Sequence, residues 1–140
     1  MVMKMKFVGN HIFFEKMAGD CLITAIMHLT NKTSIEDWEN IYRDLFEISI
    51  KKHVVFNSPI VIDEYMSSLG FEKVYSVSRD DLKNPKNALL FKDFMKDIDQ
   101  SYKYLIVEPR HAFAIIKDEI YERHVKEKTP IMYYYRKKLD

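Results

Sequence analysis

The chain has 140 residues, 47% of them hydrophobic and 14% aromatic, which suits a single domain spanning 1–140 and leaves too little apolar material for a second core. Its 22 basic and 21 acidic residues are interspersed and give a net charge of +1, so no long-range field draws it onto nucleic acid or an anionic membrane. The single cysteine excludes an internal disulfide and points to a reducing, cytoplasmic setting.

Along the chain, the N-terminal MVMKMKFVGNHIFF has only short apolar pieces and no small-residue cleavage site, so no signal peptide is expected. No stretch reaches the ~18 consecutive apolar residues of a membrane span. Asp20 is a good N-cap for a helix from Cys21 to about Leu29. Asn31-Lys32-Thr33 breaks it, and Ser34 with Asp37 three residues on forms a variant of the capping box that opens a second helix. Ile35, Trp38, Ile41, Tyr42, Leu45, Phe46 and Ile48 follow the helical period there and predict its buried stripe. Asn57-Ser58-Pro59 reads as a cap plus first-turn proline, and Gly70 as the stop of a third helix over about 59–69.

After Gly70 the chemistry changes. Phe71 to Val77 is strand-like, Asp80 to Asn87 reads as a polar loop, and Leu89 to Ile98 as one more helix. Four strand-like runs follow, YKYLIV at 102–107, HAFAII at 111–116, IYERHV at 120–125 and IMYYYR at 131–136. Helices first and strands last predict an α+β fold, N-terminal helices packed on a C-terminal, mostly antiparallel sheet.

Cys21 opens its helix, where unpaired N–H groups and the positive end of the dipole favour thiolate over thiol. The negative charge of Asp20 opposes this, so activation calls for a cationic partner. His28 lies on the same helix about 10 Å further along and does not reach the sulfur. His11 and His124 sit in polar surroundings, and His53 follows Lys51 and Lys52 at a helix end. His111 differs: it opens an apolar strand directly after Glu108-Pro109-Arg110, with Ala112 and Ala114 small enough for a helix to pack closely. On the returning strand Glu122, with Glu119 behind it, is the carboxylate placed to orient the His111 ring.

The strings GDCLITAI, SIEDWENIYRDL and KYLIV…RHAFAIIKDEIYE, in this order and separation, resemble papain-like cysteine peptidases, in particular small ones of phages and bacteria. The resemblance implies a papain-like α+β fold with Cys21 as nucleophile, His111 as general base and acid, and Glu122 at the orienting position. It also implies an oxyanion hole using the backbone N–H of Cys21. Many members carry a Gln about six residues before the cysteine; here Glu15 stands there and cannot donate when ionised. Asn10 and His11 are the candidate replacements, with Asp20 as an auxiliary group.

The implied activity is thiol-dependent cleavage of a peptide-like bond in a protein or peptide substrate, by a monomer or weak homo-oligomer in the cytoplasm (the host's, if phage-encoded). The alternatives are a papain-like protein that binds a host or viral protein without turnover, and a thiol acyltransferase. No cofactor or metal is expected, since Cys21 and the histidines lack C-x-x-C, H-x-x-x-H or H-E-x-x-H spacing. The Tyr133-Tyr134-Tyr135 run before Arg136-Lys137-Lys138 reads as a final strand with Tyr134 on one face and its neighbours on the other, rather than as a nucleic-acid surface.

Overall fold

A computed structural model of the chain describes residues 5–9, 21–84, 86, 88–122 and 124–140. Helix α1, Cys21–Leu29, buries seven of its nine residues, as expected of a helix apolar all round. Its negative end is capped from the sheet, where Lys103 Nζ donates to the Leu29 carbonyl at 2.7 Å. Helix α2, Ile35–Lys52, begins with the capping box, Asp37 N–H to Ser34 Oγ at 3.0 Å and Ser34 N–H to Asp37 Oδ2 at 3.3 Å.

The apolar stripe expected on α2 divides. Trp38, Ile41 and Leu45 are buried and Ile48 is half-buried, whereas Ile35, Tyr42, Phe46 and also Ile50 are exposed. One helix side meets α1 and α3; the apolar face is wider than that seam, and its outer part stacks Trp38, Tyr42 and Phe46 on one another. Helix α3, Pro59–Ser68, closes with Gly70 in the left-handed region at φ +88°. Lys137 Nζ donates to the Leu69 carbonyl at 2.8 Å, a second cap supplied by the sheet.

The main sheet is α+β in the expected sense, six strands of which all but one pair are antiparallel. Strands β1 (Lys6–Phe7), β2 (Glu72–Ser76), β4 (Tyr102–Glu108), β5 (His111–Ile116), β6 (Glu119–Ile120) and β8 (Tyr133–Lys138) lie in the order β1-β6-β5-β4-β8-β2. Between β2 and β4 come helix α4 (Arg79–Leu82), strand β3 (Leu89–Leu90) and helix α5 (Phe91–Lys96); β3 pairs with β7 (Pro130–Ile131) in a separate two-stranded piece.

Several predicted elements are therefore corrected. The 80–87 segment begins with the turn of helix α4, capped by Ser78 Oγ on the Asp81 N–H. Residues 89–90 are strand rather than helix, and 131–136 splits at Met132, whose N–H bonds the Val107 carbonyl while its neighbours join different sheets. The strand expected over 120–125 stops at Ile120.

Period-two alternation decides which side each strand residue serves. Leu105, Val107, Ala112, Ala114, Tyr133 and Tyr135 pack with α1, α2 and α3. Tyr104, Ile106, Phe113 and Ile115 face the other way and pack with Phe91, Phe94 and Met95 of α5. Tyr134 joins that second cluster, opposite to Tyr133 and Tyr135, as the alternation predicts.

Candidate active site

The β4–β5 hairpin organises the site. Its two-residue turn, Pro109-Arg110, places Glu108 directly across from His111, and Val107 across from Ala112. Ala112 and Ala114 let α1 lie close on the strand, which brings the N-terminal end of α1 to the mouth of the hairpin. Cys21, the first residue of that helix, is half-buried there and is hydrogen-bonded to the His111 imidazole and to the backbone N–H groups of Ala112 and Leu22.

The early end of β6 is what leaves that edge available. Its pairing covers only Ile115 and Ile116, with one further bond from Tyr121 N–H to the Ala114 carbonyl. A strand running on to residue 125 would have paired alongside the first half of β5 and occupied the Ala112 N–H. Instead the chain turns at Tyr121, whose ring packs on His28 with centroids 4.6 Å apart. Glu122 N–H bonds the Ile120 carbonyl at 2.9 Å, and the Glu122 carbonyl accepts from Gly9 N–H at 3.2 Å. So held, Glu122 Oε2 meets His111 Nε2 in a short contact, leaving Nδ1 available to the thiol.

The electrostatics follow from this contact order. Burial pushes the Cys21 thiol up, but the hydrogen bond to His111, the Ala112 and Leu22 N–H groups and the imidazolium charge outweigh it and hold the thiol below its ordinary value. The bond to Cys21 pushes the His111 imidazole up to about 9, with Glu122 adding to it against burial. Each group stabilises the charged form of the other, which favours a thiolate–imidazolium pair at neutral pH.

Cys21, His111 and Ala112 line a cleft of about 460 Å³ together with Leu22, Val55, Asn57, Ser58, Pro59, Ile62, Val107, Glu108, Arg110, Met132 and Tyr133. Two polar residues here were not singled out by sequence. Ser58 is the N-cap of α3 by position, but its hydroxyl caps nothing; Oγ is buried without a hydrogen-bond partner. Glu108 is 7% exposed, and its Oε2 is likewise unpartnered. Alternation held the signal for Glu108, since it continues the series Tyr104, Ile106 on the α5 side of the sheet and so puts a carboxyl at a core position.

Of the other candidates, Asn10, His11, Glu15 and Asp20 lie outside the described residues. Glu119 pairs with Lys6 at 3.4 Å, away from the imidazole contact, and His124 packs against Phe7 with centroids 5.4 Å apart. His53 takes the left-handed C-cap of α2 at φ 56°. Among the described residues no group of three or more His, Cys, Asp or Glu side chains is arranged to hold a metal ion. No helix among them is long and apolar enough to cross a membrane. Compared with protein-family models, with curated proteins and with solved structures, the chain matches none.

Proposed function

We propose that the chain is a thiol-dependent hydrolase of papain-like type that cleaves a peptide-like bond through Cys21, His111 and Glu122. The observation that carries this reading is the meeting of three side chains from three separate segments, with the thiol bonded to the imidazole at a cleft and the imidazole to the carboxylate behind it. Chemically this is the nucleophile, base and orienting-group arrangement that acyl transfer requires.

In the proposed reaction the Cys21 thiolate attacks the substrate carbonyl carbon, and the carbonyl electron pair moves onto oxygen. The imidazolium of His111 then gives its proton to the leaving amine as the C–N bond breaks, which leaves a thioester on Cys21. Water, losing a proton to the now neutral His111, attacks the thioester and releases the carboxylic acid and the thiolate. Glu122 keeps the ring in one orientation throughout. The N–H of Cys21, at the start of α1, has no acceptor within the helix and is the donor for the developing oxyanion.

A second reading, a domain that docks on a protein without turnover, is favoured by the exposed apolar side of α2 formed by Ile35, Tyr42, Phe46 and Ile50. Alkylation separates the two. Iodoacetamide should modify Cys21 well below the pH of an ordinary thiol, and His111→Ala should shift that profile upward and slow the reaction near neutral pH by about tenfold or more. The same ordinary profile in both proteins would refute the hydrolase mechanism and leave the docking reading standing.

A further inference from the structure

Helix α2 carries two rows of side chains at four-residue steps. Trp38, Tyr42, Phe46 and Ile50 form an apolar row, its three rings stacked in sequence and its last three residues exposed. One position on, Glu39, Arg43, Glu47 and Lys51 form a second row, exposed along its whole length. Side chains four apart are neighbours on a helix surface, so the two rows run side by side.

The charged row decides what fits against this side. Its signs alternate, acid, base, acid, base, at a spacing that allows pairing within the helix. Among the described residues Glu39, Glu47 and Lys51 nevertheless make no ion pair, and Arg43 donates instead to Asn40 Oδ1 at 2.7 Å. Reversed end for end, the row reads base, acid, base, acid. A second α2 laid antiparallel on the first therefore sets each charge against its opposite, whereas a parallel copy in the same register sets like against like. Such matching is what a two-fold interface requires, since any residue i that contacts j is repeated as j contacting i.

The ends of the helix match as well. With the rows centred on residues 44–45, Ile35 of one copy lies across from residues 53–55 of the other. An open hollow of about 710 Å³ is found there, with Phe46, Ile50, Val54, Val55 and Phe56 in its walls, and Ile35 itself is 41% exposed. An apolar knob and an apolar hollow thus stand at opposite ends of one helix and meet when α2 packs on itself reversed.

We infer that α2 is the interface of a two-fold symmetric homodimer in which the two helices run antiparallel, with Arg43 facing Glu47 and Glu39 facing Lys51 across the interface. Its 18 residues span about 27 Å, which puts the contact at the small end of specific interfaces and its dissociation constant in the micromolar range. Diluted below that range, the chain is a monomer with this side exposed. A dimer of this kind is independent of the hydrolase reading and supplies an occupant for the apolar side of α2. Val55 lines both the hollow and the cleft that holds Cys21, so each copy stands at the rim of the other's cleft.

Sedimentation equilibrium of the full chain between about 1 and 500 µM tests the assignment. The wild-type mass should rise from 16.8 kDa to twice that value and stop there. Arg43→Glu and Glu47→Arg, each at an exposed position, should each weaken the dimer by at least about tenfold, because the two-fold axis turns one reversal into two like-charge contacts. Mixed in equal amounts, the two variants should associate again, since each then supplies the charges that the other lacks. A wild type that keeps the mass of one chain throughout overturns the dimer, and a mass that climbs past two chains overturns the closed two-fold arrangement. A dimer untouched by both reversals overturns α2 as its interface. Variants that are weakened singly but do not recombine overturn the antiparallel pairing. The wild-type series needs no variant, so it decides the matter even if one of them does not fold.

Discussion

Replacing Glu108 by glutamine should stabilise the protein, and only above a particular pH. Burial pushes this carboxyl from 4.5 up to about 7, with Glu122 reinforcing it and His111 opposing. An acid whose folded value lies above its unfolded one opposes folding. Below the unfolded value both states carry the proton and nothing is lost; between the two values the unfolded chain ionises first, so stability falls as pH rises; above about 7 the loss is complete. At about 1.4 kcal/mol per pH unit the full loss is about 3 kcal/mol, an upper bound because the cleft opens to solvent. Glutamine keeps the shape and cannot ionise, so its advantage should be near zero at pH ~5 and approach that bound at pH ~8. With a urea m-value of about 1–3 kcal/mol/M, the unfolding midpoint at the higher pH should rise by at most about 1–3 M. An equal gain at both pH values, or none at either, would refute the reasoning, because the effect would then not come from ionisation of Glu108.

Glu122→Gln removes the charge that helps hold His111 protonated; the imidazole should titrate lower, and the acid-side limb of iodoacetamide reactivity should move toward the ordinary thiol value. Gly9 has φ +78° with open space around its Cα, so Gly9→Ala should cost about 1 kcal/mol from backbone strain alone, read as a fall in Tm. Because the Gly9 N–H holds the Glu122 carbonyl, the His111-dependent reactivity of Cys21 toward iodoacetamide should fall with it. Leu45→Ala, at a fully buried position, should cost about 2–5 kcal/mol in chemical denaturation. Phe46→Ala, one residue on and exposed, should fall within about 1 kcal/mol; equal losses would show that α2 buries the wider stripe after all.

Local chemistry was legible in the sequence wherever it is decided locally. Ser34 and Asp37 specify their capping box, Gly70 ends α3, and the alternation through Tyr133-Tyr134-Tyr135 assigns each ring to its own side of the sheet. Cys21 and His111 were legible because each opens an element, where a polar side chain can leave the core, whereas Glu122, expected on a strand over 120–125, reaches His111 from the turn beyond Ile120. What failed depended on partners. Tyr42 and Phe46 fit the helical period as well as Leu45 does, and only the width of the seam against α1 and α3 leaves them outside. The run 120–125 has strand chemistry, yet pairing ends at Ile120, and no residue type in it announces that stop. Ser58 sits in an N-cap pattern whose hydroxyl caps nothing and is buried without a hydrogen-bond partner, an outcome of tertiary surroundings.

The docking of α1 on β5 has a consequence for how this protein can be watched. The lone thiol and the histidine that ionises it are far apart in the chain and touch only when helix and hairpin have both assembled. Mildly acidic alkylation of Cys21 is thus a built-in reporter of the folded population, silent in the unfolded chain where the thiol is ordinary. Most cysteine probes are protected by folding and exposed by unfolding; here folding switches the signal on, so misassembled or partly unfolded molecules would reveal themselves by failing to react.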